Sequence, residues 1–437
     1  MNAGAVIMRG MRVLRRMTVC AAAIAVATSA PGLELDLTSG NWRPASVFVE
    51  YFEGESLQDG RISSVVGNDL RNSGYFRPRY RVGSSHGEVS SAHYAEVRDR
   101  GGEYLLTGRV HQEVSGGSRL FFELHDALTE TSLGSFSINF TETSKRTAAH
   151  KVSNWVFESI ARLPGVFHTK VAYIVREENG TNLLRVADYD GHNAHTVLTS
   201  PSPLISPSWS PNGNELVYVS FETRQPVIYH QSLLTGERTV IANFPGTNSA
   251  PAMSPNGREV AMALTRGGDE QKVYVKGEGG ELRKISHLGG IATEPTWAPD
   301  GERMAFVSDA SGAPQIYEQY VAGGAARRVT FGSKYCVSPS YSRDGEQILH
   351  ICRDDAGRSN IAIIDLKSGE SAGLTDIREA DSPSFSANGA MVIFKNENIS
   401  NALQIVAVNG IIISQWEVRE SGEVINPVWG PAFSDWF

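Results

Sequence analysis

The chain has 437 residues, of which 41% are hydrophobic and 20% charged, with three cysteines and a formal net charge of −8. That is a globular composition with length for two domains of ordinary size. The acidic balance argues against nucleic acid or an anionic membrane surface as a partner.

Residues 1–30 read as a signal peptide. Arg12, Arg15 and Arg16 precede the short apolar run Met17–Ala27, and Ala25-Val26-Ala27 and Thr28-Ser29-Ala30 offer small residues for cleavage. The run is too short to span a bilayer, so it marks export. Cys20 falls inside it, and no later stretch is long and apolar enough to cross a membrane. Residues 31–44 form a lead segment in which Leu33, Leu35 and Leu37 alternate with other residues and have no evident place in a core. It is expected to be a mobile, partner-binding arm.

Residues 45–163 are expected to form an α/β domain. Val47–Phe52 reads as a strand, and Leu57–Asn72 as a helix with Ile62, Val65, Val66 and Leu70 on one face and Ser73-Gly74 as its stop. Ser90–Arg98 reads as a second helix. Tyr104–His111, Arg119–His125 and Leu133–Phe140 read as strands, and Thr143–Arg162 as a third helix ended by Leu163-Pro164-Gly165. Gly83-Ser84-Ser85-His86-Gly87 has the spacing of a nucleophile elbow. An elbow needs a buried apolar strand in a large sheet, whereas this one follows Tyr80-Arg81-Val82 in a small domain; it is read as a polar loop.

From residue 165 to 437 one phrase recurs, first as Ser206-Pro207-Ser208-Trp209-Ser210-Pro211-Asn212-Gly213. Its leading proline returns at 251, 295, 339, 383 and 427, a step of 44 residues each time. Each of the first five phrases leads through a tight Asn-Gly or Asp-Gly turn into an apolar run such as Leu216–Ser220, and two further strands follow; the sixth, Asn426–Pro431, is degenerate. Four strands per period predict an all-β six-bladed β-propeller. The sixth phrase has no room after it for three strands, so Val171–Arg176 and the two strands after it should close the last blade. Trp209, Trp297 and Trp429, with Tyr341 and Phe385, share one position in the repeat and are read as packing between blades. Asp188-x-Asp190-Gly191-His192-x-x-His195 offers metal-ligand types but falls at a repeat turn, and is read as a hairpin with solvated histidines. No catalytic residue, cofactor or metal is expected.

Cys336 and Cys352 remain after the leader. They fall at the start of one strand and the end of the next, joined by the hairpin at Asp344-Gly345. Two free buried thiols and a disulfide are both open readings. The strand register favours the bond, since cross-strand β-carbons lie about 4.5–5.5 Å apart and a disulfide needs roughly 3.5–4.5 Å.

Ile62–Phe76, Glu103–Val110, Val186–Gly191 and Thr293–Gly301 together resemble the TolB family of the Tol–Pal cell-envelope system. The resemblance implies a non-enzymatic periplasmic adaptor. It implies that the propeller mouth receives the peptidoglycan-associated lipoprotein Pal and that the arm of Leu33, Leu35 and Leu37 communicates with TolA. Other outer-membrane proteins are further candidate partners, and roles in outer-membrane integrity and cell division follow. Family positions that affect Pal binding fall on Thr247, Ala250 and Thr293, where a histidine is common at the first; Glu294 adjoins the third. Two other readings stay open: a propeller that binds peptides or sugars, and one that gates a hydrolase.

Overall fold

The structure, a computed structural model, describes residues 43–55, 60–81, 89–114, 116–267, 270–375, 377, 379–408, 412–418 and 422–432. The leader, the arm with Leu33, Leu35 and Leu37, and the Gly83–Gly87 motif all lie outside the described residues.

The first part is a five-stranded sheet with helices. Strand β1 (Ala45–Glu50) leads to α1 (Ile62–Asn72), β2 (Phe76–Arg81), α2 (Ser91–Asp99), β3 (Tyr104–Gln112), β4 (Ser118–Asp126), β5 (Thr131–Phe140) and α3 (Lys145–Ala161). The sheet order is β2-β1-β3-β4-β5. β1 pairs in parallel with β2 and β3, while β3, β4 and β5 form an antiparallel meander. Val47, Phe48 and Val49 are fully buried, as expected of a central strand, and Ile62, Val65, Val66 and Leu70 of α1 are buried against it.

Two elements differ from expectation. Helix α1 begins at Ile62 rather than at residue 57, because Gly60 has φ +89°, which a right-handed helix cannot hold. β2 starts at Phe76. Its sequence Phe-Arg-Pro-Arg-Tyr-Arg lacks apolar alternation and carries a proline, which is tolerated because β2 is an edge strand.

The second part is six four-stranded sheets. Blade 1 spans Leu204–Trp209 to Arg238–Ala242, blade 2 Asn248–Met253 to Leu282–Lys284, and blade 3 Ala292–Trp297 to Arg327–Arg328. Blade 4 runs from Cys336–Tyr341 to Ser371–Gly373 and blade 5 from Ala380–Phe385 to Ile412–Glu417. Blade 6 joins both ends of this region: Gly422–Trp429 is its inner strand and pairs antiparallel with Lys170–Glu177, followed by Asn182–Asp188 and His195–Ser200.

The repeat aromatics pack between blades. Trp209, Trp297, Trp429, Tyr341 and Phe385 are each no more than 8% exposed. The indole N–H of Trp297 donates to the Ala252 carbonyl of blade 2 at 3.0 Å, and that of Trp209 to Val428 of blade 6 at 3.1 Å. Each such bond is worth about 1 kcal/mol beyond the apolar area that the ring buries. The turns after the inner strands are looser than two-residue hairpins. Only their glycines have positive φ, as at Gly213 (+72°), and the asparagine side chain closes the loop by accepting from the Asn214 N–H at 2.9 Å.

Candidate functional site: the open mouth of the propeller

Every inner strand carries a bulge at the residue before its repeat proline. Those six residues are Ser206, Ala250, Glu294, Ser338, Ser382 and Asn426, all left-handed with φ between +47° and +56°. That conformation costs on the order of 1 kcal/mol or more for a residue with a β-carbon. The bulge breaks strand pairing and directs side chains from one blade to the next around the channel. Asn426 accepts from the Ser206 N–H at 3.2 Å and donates to Ser382 Oγ at 3.1 Å. Glu294 accepts from the Ser338 N–H at 2.7 Å. Ala250 has no polar side chain and interrupts the ring.

The two ends of the channel differ. The hairpins after the inner strands face the α/β part, where Asn388 Nδ2 donates to the Pro164 carbonyl at 2.7 Å. The inner strands begin at the opposite end. There Thr247 is exposed, its carbonyl accepting from the Thr265 N–H at 3.1 Å. Ala250 and Thr293 are half-buried in adjacent inner strands, so the structure sets three of the sequence-derived positions on neighbouring blades.

Acids gather at this mouth. Burial raises the Glu294 carboxyl above its usual range, and Asp381 raises it further against the Ser338 N–H. Burial also raises Glu397, helped by Asp381, Glu423 and Glu379 and opposed by Lys395. Burial in turn lowers the Lys395 ammonium, which is fully enclosed and donates to the Ile399 carbonyl. Such a rim attracts a cationic or hydrogen-bond-donating protrusion. Sequence reasoning passed over Ser206, Ser338, Ser382, Asn426, Asp381 and Glu397. The signal for the first four was present, because a residue fixed before each repeat proline once per period is a candidate channel position.

Cys336 and Cys352 are direct cross-strand partners in blade 4, joined by a disulfide with Cα atoms 4.2 Å apart, at the same end as the mouth. Buried His350 lies beside them, and burial pushes its imidazole down to about 4. With the sulfurs bonded to each other, this cluster offers no thiolate to a metal.

The Asp190 turn is the expected hairpin with solvated histidines, except at Asp190 itself. His192 and His195 are exposed, but the Asp190 carboxylate is largely buried and ion-paired with Arg146 of α3. It lies near Asp69 and His150. An arginine in that cluster repels a cation, so the group is a contact between the two parts of the chain.

Comparison with known proteins agrees with this architecture. The TolB beta propeller domain model matches residues 157–433, and the TolB amino-terminal domain model matches residues 33–133. The chain is 50% identical to the Tol-Pal system protein TolB of Nitrosomonas europaea over 92% of its length and 95% of that protein's. It is 39% identical to the Tol-Pal system protein TolB of a Polaromonas species over 47% of this chain; that alignment spans about half the relative's length, 48%. The crystal structure of TolB from Acinetobacter baumannii superimposes with a TM-score of 0.79 at 30% identity, covering 89% of this chain and 97% of that one. The chain belongs to the TolB family.

Proposed function

We propose that the protein is a non-enzymatic periplasmic adaptor of the Tol–Pal system. In this reading the propeller mouth binds Pal, and the arm with Leu33, Leu35 and Leu37 binds TolA. The observation that carries the reading is the chemistry of the mouth: the inner strands begin at the end away from the Asn388–Pro164 contact, and the half-buried Glu294 carboxyl there is raised above its usual range by burial and by Asp381. Desolvated carboxylates beside small residues such as Ala250 and Thr293 favour a close-fitting partner with donors of its own. Family membership supports the same partners, since relatives bear the name of the Tol-Pal system. Among the described residues no helix is long and apolar enough to cross a membrane.

The experiment is a binding titration of Pal with the mature protein and two variants. Ala250→Val and Thr293→Ile should each weaken Pal by about tenfold or more, with melting temperature within a few degrees of the parent for Thr293→Ile and lower for Ala250→Val, which puts a β-branched side chain at φ +47°. Wild-type affinity in both variants removes the mouth as the Pal site. Deleting residues 31–44 should abolish TolA binding and spare Pal; retained TolA binding removes the arm from the reading.

A further inference from the structure

We infer that the contact between the α/β part and the propeller is a proton-dependent lock, in which the His150 imidazolium bridges a carboxylate from each side. Asp69 comes from α1 and Asp190 from the turn between the third and fourth strands of blade 6. His150 Nδ1 lies 2.8 Å from Asp69 Oδ2, and Nε2 lies 3.7 Å from Asp190 Oδ2. His150 and Asp69 are each 1% exposed, and Tyr189 is fully buried. Asp69 also accepts from Tyr189 Oη and from Ser153 Oγ, both at 2.6 Å. A single carboxylate of the α/β part thus holds the propeller turn directly through Tyr189 and indirectly through His150.

The charges balance only when His150 carries its second proton. Asp69 and Asp190 supply two negative charges, and Arg146 supplies one positive charge. A neutral imidazole leaves one net negative charge in a largely buried cluster, with only Arg146 and the edge of Asp190 reaching solvent. Its bare Nε2 lone pair then faces the Asp190 carboxylate. Nε2 has no hydrogen-bond partner, so no other acceptor or donor takes over. Losing the proton therefore weakens the bridge on the Asp190 side, which is the side that crosses the interface.

Every packed element supplies a charged or titratable neighbour. Asp69 is on α1, Arg146 and Lys151 are on α3, His168 and Lys170 precede or open blade 6, and Asp188, Tyr189 and Asp190 lie at its turn. Lys170 is paired with Asp188. His168 is pushed down to about 4 by burial and by Lys151, His150 and Lys170, so it stays neutral and does not compete for the proton. Burial alone would lower His150, but Asp69, by charge and hydrogen bond, and then Asp190 raise it above its ordinary value against Arg146. Burial would raise Asp190, but the His192 hydrogen bond and the charges of His150 and Arg146 hold it far below the usual carboxylate range.

The sign follows from linkage. A histidine whose pKa is raised in the locked state contributes fully below about 6.5, its value when released. The contribution is lost as pH rises through the locked-state value. Opening of the interface should rise about tenfold per pH unit between those two values and level off above the higher one. Gly191 keeps the turn in place through the change: its φ is +83°, and a β-carbon there would meet the Trp416 ring at 2.7 Å.

Two measurements on the full mature chain test the lock. The first follows the imidazole resonances of histidine-labelled protein with pH, assigning His150 by its loss in His150→Gln. The second compares hydrogen exchange of residues 187–193 and of α3 between pH 6 and pH 9, corrected for intrinsic rates. The lock requires a His150 midpoint above 6.5 and protection that falls at least tenfold over that range in the wild type but not in His150→Gln. If the variant does not fold, the wild-type exchange profile decides alone. A His150 midpoint below 6.5, or wild-type protection independent of pH, overturns the inference.

Discussion

The two ends of the propeller solve the same problem by opposite means. Toward the α/β part, buried charge has counter-charge within the chain: Asp69 accepts from Tyr189, Ser153 and His150, and Asp190 is paired with Arg146. At the mouth, Glu294 has one backbone donor and an acidic neighbour in Asp381, and it is left desolvated. There the blade edge is held covalently, by Cys336–Cys352, and by bonds from backbone N–H groups to side chains of the next blade. Matched charge belongs to a contact already made within the chain. The unmatched charge at the mouth is what the proposed Pal contact would complete.

The largest test of that contrast is Asp69→Ala. It strands Tyr189 and His150 without their acceptor, leaves Ser153 only the Ala149 carbonyl, and leaves His150⁺ beside Asp190 alone. Loss of a buried charge partner costs about 3–5 kcal/mol, so denaturant unfolding should shift by that amount and α3 should lose exchange protection. An unchanged midpoint would mean that the lock carries no net stability. Next is the covalent tie. Replacing both cysteines by serine should cost about 3 kcal/mol for a closed loop of this length, with the loss concentrated in blade 4. Alkylation of both thiols without reductant in the wild type would show that no tie exists.

The smallest effect is the most diagnostic. Glu294→Gln keeps an acceptor for the Ser338 N–H and removes the charge. A carboxyl whose pKa is raised on folding binds more protons folded than unfolded, so its contribution declines as pH rises through that raised value. The variant should therefore equal or exceed the wild type by up to about 1 kcal/mol at pH 7 and converge with it near pH 4. It should bind Pal more weakly. A destabilised Glu294→Gln at pH 7 would mean that the carboxylate is satisfied within the chain, and the contrast between the ends would fall.

The blade architecture was legible because each of its signals repeats. One proline phrase every 44 residues sets the register of every inner strand, and a miscount in one blade would be visible against the other five. β2 was less legible because Arg77, Pro78 and Arg79 obscure a strand that the sheet requires only at its edge. The lock was hidden for a different reason. Asp190 was judged by its neighbours Gly191 and His192, whereas its partners Arg146 and His150 lie some 40 residues earlier on a helix. The trace was there in α3, where Arg146, His150 and Ser153 put polar groups on one helical face beside buried Val152 and Val156. Thr247, Ala250, Thr293 and Glu294 were legible as candidate mouth positions, but the acids Asp381 and Glu397 were not. Glu294 comes from blade 3 and Asp381 and Glu397 from blade 5, and the closed ring brings the two blades together.

Blade 6 has a consequence for how the chain reaches this structure. Arg176 and Glu423 form an ion pair across a sequence separation of 247 residues, within two strands that complete one sheet. A chain emerging from its N-terminus must hold Lys170–Glu177, a strand with five fully enclosed positions in the finished sheet, without its neighbour until residues 422–429 arrive. The intervening blades can form in turn from local hairpins, but the ring cannot shut early. Closure over so long a separation is slow. During that delay the strand edge is open to pairing with other chains, which makes the interval before closure the moment at which this protein most needs a chaperone.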